Sequence, residues 1–340
     1  MNVNKHKRDR EKPKFRPKSA RERVNSFLGL FKYDDYVLIL INPDPDSIAS
    51  ALAVKRLLWK RVTKVEIAYI NEIQRLENRT MVELLKIPIV QVKKISPEKF
   101  TRTILVDSQP HHSEIFEDFV YDAIIDHHPL VNKLEAPYID VRPRYGATAT
   151  ILTEYLRAAK IKPSKRLATA LLYAIKTDTS NFERDAREED VTQFRYIFKY
   201  ANINLLRKIE NSGLRPRDLN YFQSALENRL FRKKILYTHV GEVHSPDICV
   251  QIADFFMGVY SVGWSIVSGI YKDTLIIIIR NDGYRKDAGK LAIGAFSGFG
   301  SAGGHRGAAR AEIPLETLGQ KGIDTGNSAL EGFIRRRLKF

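Results

Sequence analysis

This 340-residue chain contains a single cysteine, Cys249. One thiol excludes a disulfide framework and any metal site built on thiolates, and it suits a reducing compartment. Long apolar runs are missing as well. Stretches such as residues 275–279 are the size of a strand, whereas a membrane-spanning helix needs roughly 18 apolar residues in succession. The basic, polar N-terminus has no apolar core of a secretion signal, so a cytoplasmic location with no membrane partner is expected. Acidic residues are in deficit: 56 Lys and Arg face 40 Asp and Glu, a formal net charge of +16. That balance suits anionic substrates better than cationic ones.

The excess charge is uneven. Residues 1–23 hold ten Lys and Arg against three Asp and Glu, with Pro13 and Pro17 and few apolar side chains. Residues 1–30 are therefore expected to form a disordered basic tail able to contact nucleic acid. The whole chain is 44% hydrophobic and 28% charged, the composition of a soluble globular protein, and it is long enough for two domains.

Tyr36-Val-Leu-Ile-Leu-Ile41 reads as a strand buried on both faces, broken by Asn42-Pro-Asp-Pro-Asp46 and followed by a helix over 47–59. Further strands are expected at 65–69, 103–106 and 123–125, with a short helix at 81–85. This alternation predicts parallel βαβ units. Helices are expected at 147–158, 165–175 and 191–206, and a bridge at 212–227 broken near Pro216. Beyond about 235 the texture becomes strand-rich, with paired strands at 262–270 and 274–279. The expected division is a parallel-sheet α/β domain over 31–205, a helical linker over 206–235 and a smaller α/β domain over 236–340, with the active site in the cleft between them.

Asp44 and Asp46 flank Pro45, which stiffens their turn. Asp107 ends one strand, Asp126-His127-His128 ends the next, and Asp178 closes a helix. Ligands of parallel sheets collect at the carboxyl ends of strands, and carboxylates gathered there repel unless cations intervene. Oxygen donors with imidazole and no sulfur favour Mn²⁺ or Mg²⁺ over Zn²⁺ and Fe²⁺. A pair of such ions activates water for in-line displacement at phosphorus. A Gly-rich loop at Gly303-Gly304-His305 offers N–H groups to an anion, and Arg280 at a strand end is a candidate phosphate clamp. Gly146-Ala-Thr148, opening a helix, could likewise present N–H groups to an anion.

Taken together, Asn42-Pro-Asp-Pro-Asp46-Ser-Ile-Ala-Ser50, Val106-Asp-Ser108, Ile125-Asp-His-His-Pro129 and Lys176-Thr-Asp-Thr179 resemble the four motifs of the DHH phosphoesterases. Gly303-Gly-His-Arg-Gly-Ala-Ala309 resembles the signature of the associated C-terminal domain. The resemblance spans about residues 35–315. It implies Asp44, Asp46, Asp107, His127 and Asp178 as ligands of two Mn²⁺ ions, with Asp107 bridging. It implies Asp126 and His128 as catalytic groups that orient the centre and contact substrate or leaving group, and Gly303, Gly304 and His305 as phosphate-binding. The activity implied is hydrolysis of phosphoester bonds in short oligonucleotides or small nucleotides, as in oligoribonuclease/pAp phosphatases, with a homodimer admissible. Alternatives are cyclic-dinucleotide or polyphosphate hydrolysis, or nucleic-acid binding with a degenerate metal site. The last arises from one departure: the family's first motif opens with His four residues before its first Asp, and here that position is Leu40. Asn42, His111 and His112 are the candidates to compensate.

Overall fold

The computed structural model describes residues 19–183, 186–283 and 286–339, and the basic tail before them lies outside the described residues. Two compact units divide between Gly213 and Leu214. Of the residues expected to link two domains, 206–213 belong to the first unit and 214–235 to the second.

In the first unit, strands β1 (Tyr36–Ile41), β2 (Lys64–Tyr69), β3 (Ile89–Gln91), β4 (Arg102–Val106), β5 (Ala123–Asp126) and β6 (Tyr138–Val141) form a wholly parallel sheet. Its order is β3-β2-β1-β4-β5-β6. The continuous apolar run of β1 has its cause in this position, because both faces are covered. Val37, Ile39 and Ile41 join the main helical core, whereas Leu38 and Leu40 pack with Leu105, Phe116 and Ile124 on the other side. Strand order reverses between β1 and β4, and a crevice opens at their carboxyl ends where the following segments diverge. Asp44 and Asp46 follow β1, and Asp107 follows β4, so the topology alone delivers three carboxylates to one place.

The helices of this unit are α1 (Ala20–Leu28), α2 (Pro45–Leu57), α3 (Leu76–Leu85), α4 (Glu114–Glu117), α5 (Thr148–Ala158), α6 (Lys165–Asp178), α7 (Glu188–Phe198) and α8 (Ile203–Glu210). Helix α1 corrects the expected extent of the tail. Ser19 and Glu22 form a reciprocal capping box, Val24 and Phe27 are fully buried, and Arg23 reaches Asp140 at 2.9 Å. The helix expected over 191–206 is two helices, because Asn202 accepts hydrogen bonds from the N–H groups of Asn204 and Leu205 and starts α8.

The second unit runs through α9 (Leu219–Glu227), β7 (Leu230–Arg232), β8 (Ile235–Glu242), α10 (Asp247–Met257), β9 (Trp264–Tyr271), β10 (Thr274–Asn281), α11 (Ala288–Phe296), β11 (Ser301–Gly304), β12 (Ala308–Pro314), α12 (Leu315–Gln320) and α13 (Asn327–Leu338). Its six strands are ordered β11-β12-β10-β9-β8-β7 and are antiparallel except for β8 and β9. Ile276 and Ile278 face the core under α10, and Leu275, Ile277 and Ile279 face the one under α11 and α13. Two-sided burial explains this second unbroken aliphatic run. No helix among the described residues is long and apolar enough to cross a membrane.

Candidate metal centre

The site begins with two helix N-termini. Asp44 caps α2: its carboxylate accepts from Ser47 N at 2.8 Å, and Ser47 Oγ accepts from Asp44 N at 3.0 Å. Pro45 supplies the first helical residue, where no N–H is needed. One residue on, Asp46 is buried and accepts from Thr148 N at 2.6 Å and Ala149 N at 2.7 Å. The N-terminus opened by Gly146-Ala-Thr148 thus does hold an anion, and the anion is the protein's own Asp46. Gly146 is required there, since a Cβ would lie 2.6 Å from Thr179 Cγ2 and 2.8 Å from Asp190 Oδ2.

Asp107 follows β4 with φ at +58°, a left-handed conformation that an Asp tolerates better than most residues. It is buried and accepts from Thr148 Oγ1 at 2.8 Å. Asp126 closes β5 and is fully buried, but its carboxylate faces other partners: Gln109 Nε2 at 2.8 Å, His127 N at 2.9 Å and His128 Nδ1 at 2.8 Å. Burial opposes its charge, yet the His128 hydrogen bond and charge hold its carboxyl below the usual range. Asp126 therefore positions His128 and leaves that ring's Nε2 unspent.

His127 Nδ1 lies 3.1 Å from the carbonyl of Tyr145 and must donate to it, which makes Nε2 the atom with a lone pair. Nε2 stands 3.1 Å from Asp178 Oδ2 and 3.6 Å from Asp107 Oδ1. Two groups of potential ligand atoms result, each with all its atoms within 4.8 Å of one another: Asp107, His127 and His128, and Asp46, His127 and Asp178. Asp44 belongs to neither group, although the Asp178 charge bears on its carboxylate.

The electrostatics are those of a cation site. Burial, followed by the Asp178 charge, raises Asp46 to about 7. Burial and the charges of Asp46, Asp44 and Asp178 push Asp107 well above its usual range. Burial opposes an imidazolium at His127, but the Asp178 hydrogen bond and the charges of Asp46 and Asp178 prevail and raise it to about 9. Carboxylates that resist ionisation together while carrying backbone donors aimed at their charged form fit divalent ions. Oxygen and imidazole donors with no thiolate fit manganese or magnesium.

Leu40 is fully buried on the sheet face opposite the helical core, so it offers the site nothing. Asn42 is exposed, and its Oδ1 accepts from Asn71 Nδ2 at 2.9 Å. His112 stacks edge-on against His128 with centroids 5.5 Å apart, and His111 against His112 at 4.6 Å. His112 Nδ1 accepts from Gln109 N at 3.2 Å, which places the proton of the neutral ring on Nε2. Neither histidine belongs to the two ligand groups.

Three supporting residues carry no motif. Asp190 is fully buried and accepts from Gly146 N, Arg187 N and Thr150 Oγ1 at 3.0, 2.8 and 2.6 Å. It fixes the N-terminus that holds Asp46. Arg142 and Glu154 each bond the Tyr145 hydroxyl, near 3.1 and 3.0 Å, and so brace the residue whose carbonyl orients His127.

In the second unit, Gly303 and Gly304 end β11 and His305 is exposed, with its N–H bonded to Ala308 O at 2.7 Å. Gly304 has φ +148°, and a Cβ there would meet Ala308 O at 2.4 Å, so this tight return needs glycine. Arg280, the expected phosphate clamp, donates its Nε to Asp254 Oδ1 at 2.6 Å, so a phosphate would meet the other nitrogens of its guanidinium.

Residues 36–175 match the DHH family, N-terminal domain. The first unit is a DHH-family domain. An uncharacterized protein of Methanocaldococcus jannaschii is 36% identical over 280 residues, which is 82% of this chain and 58% of that protein. The manganese-dependent inorganic pyrophosphatase of Bacillus subtilis is 24% identical over 265 residues, covering 74% of this chain and 84% of that one. A solved exopolyphosphatase-related protein from Bacteroides fragilis superposes with a TM-score of 0.70 at 15% identity, covering 96% and 98% of the two chains, and shares the fold. The chain spans little more than half the length of several curated relatives that it matches. The motif residues of the DHH domain, apart from the buried Leu40, stand at the carboxyl ends of β1, β4 and β5 and at the end of α6.

Proposed function

We propose that this chain is a metal-dependent phosphoesterase that hydrolyses phosphoester bonds in short oligonucleotides or small nucleotides. The observation that carries the reading is the pair of ligand groups joined through His127, at the point where strand order reverses. In this reading Asp44, Asp46, Asp107, His127 and Asp178 hold two divalent ions, manganese by preference. Such ions, when bound, supply Lewis-acid activation of water and of the phosphoryl oxygens.

The protein's own groups do the remaining work. Tyr145 O keeps the His127 ring in one tautomer, and the α5 N-terminus keeps both oxygens of Asp46 in place. His128, with Nδ1 on Asp126 and 44% of its side chain accessible, keeps Nε2 to donate a proton to the leaving oxygen. The Asp126 hydrogen bond raises its pKa above that of an ordinary histidine, which favours the acid form near neutrality. Gly303, Gly304 and His305 would bind substrate phosphate through backbone and imidazole donors, and the net charge of +16 attracts the polyanion.

A second reading, phosphoanhydride hydrolysis, is favoured by the activity in the Bacillus subtilis relative's name. Purified protein with Mn²⁺ is to be assayed on a ribo-dinucleotide, pAp, pyrophosphate and polyphosphate, beside His127→Ala. Release of mononucleotide or phosphate from the nucleotides, lost in His127→Ala, is the expected result. Turnover of pyrophosphate or polyphosphate alone would replace the phosphoester reading with the second. Tight nucleotide binding with no turnover of any substrate would make the site a degenerate one.

A further inference from the structure

Two basic triplets, Arg232-Lys-Lys234 and Arg335-Arg-Arg337, lie about 100 residues apart in the chain and meet in the second unit. The first is the hairpin turn between β7 and β8, where Arg232 pairs with Ile235 and Lys233 and Lys234 take positive φ. The second is the last turn of α13. Between them is a concavity of about 550 Å³ lined by Arg232, Lys233, Arg335, Arg336 and Lys339, with Ile235 and Gly332 completing the wall. No acidic residue lines it. Among the described residues none of the five cations has a carboxylate partner within ion-pair distance. Arg337 is differently employed: its Nε donates to Ala295 O at 2.8 Å and its guanidinium lies over the Phe299 ring.

Complementing the negative end of the α13 dipole accounts for cations in its last turn. It does not account for Arg232 and Lys233, which arrive from another element and face the same space. Five like charges around one concavity repel over distances shorter than the roughly 8–10 Å screening length at physiological salt. A ligand bearing several anionic groups relieves that repulsion. The wall residues are long, flexible and planar or ammonium donors, the set that recognises phosphate without regard to base.

We infer that this concavity is a binding site for consecutive phosphates of a nucleic-acid strand, separate from the residues proposed to hold the scissile phosphate. The separation follows from the sheet: Gly303 and Gly304 lie on the β11 edge and Arg232 on the β7 edge, five strand steps of ~4.8 Å apart, or ~24 Å. The choice of nucleic acid over other phosphate polymers rests on the oligonucleotide reading of the metal centre.

The test is fluorescence anisotropy of a labelled oligouridylate of about 12 nucleotides with the full chain in EDTA, where no hydrolysis occurs. Arg335→Ala/Arg336→Ala is compared with the wild type and with Lys165→Ala/Lys290→Ala, which removes the same charge from exposed helix positions elsewhere. Loss of two phosphate contacts should weaken binding about 25-fold at 0.1 M salt and shrink the slope of log K against log salt by about 1.4. The control double variant should change neither appreciably. Turnover of a dinucleotide by both variants, measured with Mn²⁺, separates this site from the metal centre and should equal that of wild type. Equal weakening by the two double variants, or an unchanged slope in Arg335→Ala/Arg336→Ala, overturns the site. Competition by polyphosphate of matched length as strong as that by unlabelled oligouridylate, or binding to phosphatidylserine vesicles lost in the Arg variant, overturns the assignment to nucleic acid.

Discussion

Asp190→Asn is nearly isosteric, yet it should disable the centre from a distance. The Asp190 carboxylate is fully buried and uses both oxygens as acceptors: Gly146 N at 3.0 and 3.1 Å, Arg187 N at 2.8 Å and Thr150 Oγ1 at 2.6 Å. An asparagine keeps one acceptor oxygen and turns an NH₂ toward a backbone N–H. Two charge-assisted bonds are lost, at roughly 1.5–3 kcal/mol each, and a buried donor is left facing another donor. The expected destabilisation is about 3–5 kcal/mol, or on the order of 10 °C in the melting temperature of a unit this size. Because Asp190 fixes Gly146 and Thr150, the N–H groups of Thr148 and Ala149 that hold Asp46 should also drift. Calorimetric titration of Mn²⁺ into folded Asp190→Asn at low temperature should therefore show weakened affinity beside the lowered melting temperature. A variant that melts within 2 °C of wild type and binds Mn²⁺ equally would refute the reasoning. A melting change with unaltered metal affinity would confine Asp190 to a structural part.

The acids of the centre set a pH dependence with a definite sign. Asp46 is raised to about 7 by burial and the Asp178 charge, so between pH 4 and 7 the folded chain binds a proton that the unfolded chain releases. Metal-free stability should fall as pH rises through that window, by up to about 4 kcal/mol from this group. Urea melts in EDTA at pH 5 and pH 8 read the fall, and Mn²⁺ at pH 8 should reverse it; equal midpoints throughout would contradict the cluster's charge. Gly146→Ala forces a methyl to within 2.6 Å of Thr179 Cγ2 and should cost about 1–3 kcal/mol, together with most of the activity, in thermal melts and turnover assays. Arg23→Ala removes a 2.9 Å ion pair to Asp140, which Arg142 and Tyr155 still hold, so a loss of only about 1–2 kcal/mol is expected in the same melts. A collapse of the first unit would show that α1 contributes far more.

The parts of the fold that were readable from sequence are those whose pattern depends on burial alone. The run in β1 and the acids that follow β1 and β4 and close β5 announce a parallel sheet and its functional end, because a two-sided core leaves no other place for Asp. The aliphatic string of β10 announces a second strand covered on both faces. Strands β3 and β6 escaped notice: the burial of Tyr138–Val141 alternates and Ile89–Gln91 has three residues, so neither yields a long apolar signal. Helix α1 was hidden by its basic surroundings, although Ser19 with Glu22 three residues later is a capping-box signature. The acids and imidazoles proposed to hold metal were legible as a set, whereas their supports were not. Asp190 sits in the first turn of α7, where an acid has an ordinary helical reason to occur. Arg280 at its strand end reads as a free cation, whereas its Nε is shared with Asp254. Nothing in the sequence could reveal that pairing across 26 residues.

The reversal of strand order between β1 and β4 also governs when the centre can come into being. Asp44 and Asp107 are neighbours only after β4 has crossed to the far side of β1, and Asp178 arrives at the end of α6. At the ~5–20 residues per second of synthesis, several seconds separate the emergence of the first acid from that of the last. During that interval the nascent chain presents only part of the cluster, Asp44 and Asp46 first and then Asp107, and an incomplete set binds divalent ions weakly and without discrimination. In the proposed metal centre, uptake would therefore follow the closing of the sheet, and the ion acquired would reflect the metals around a finished domain rather than those met during its synthesis.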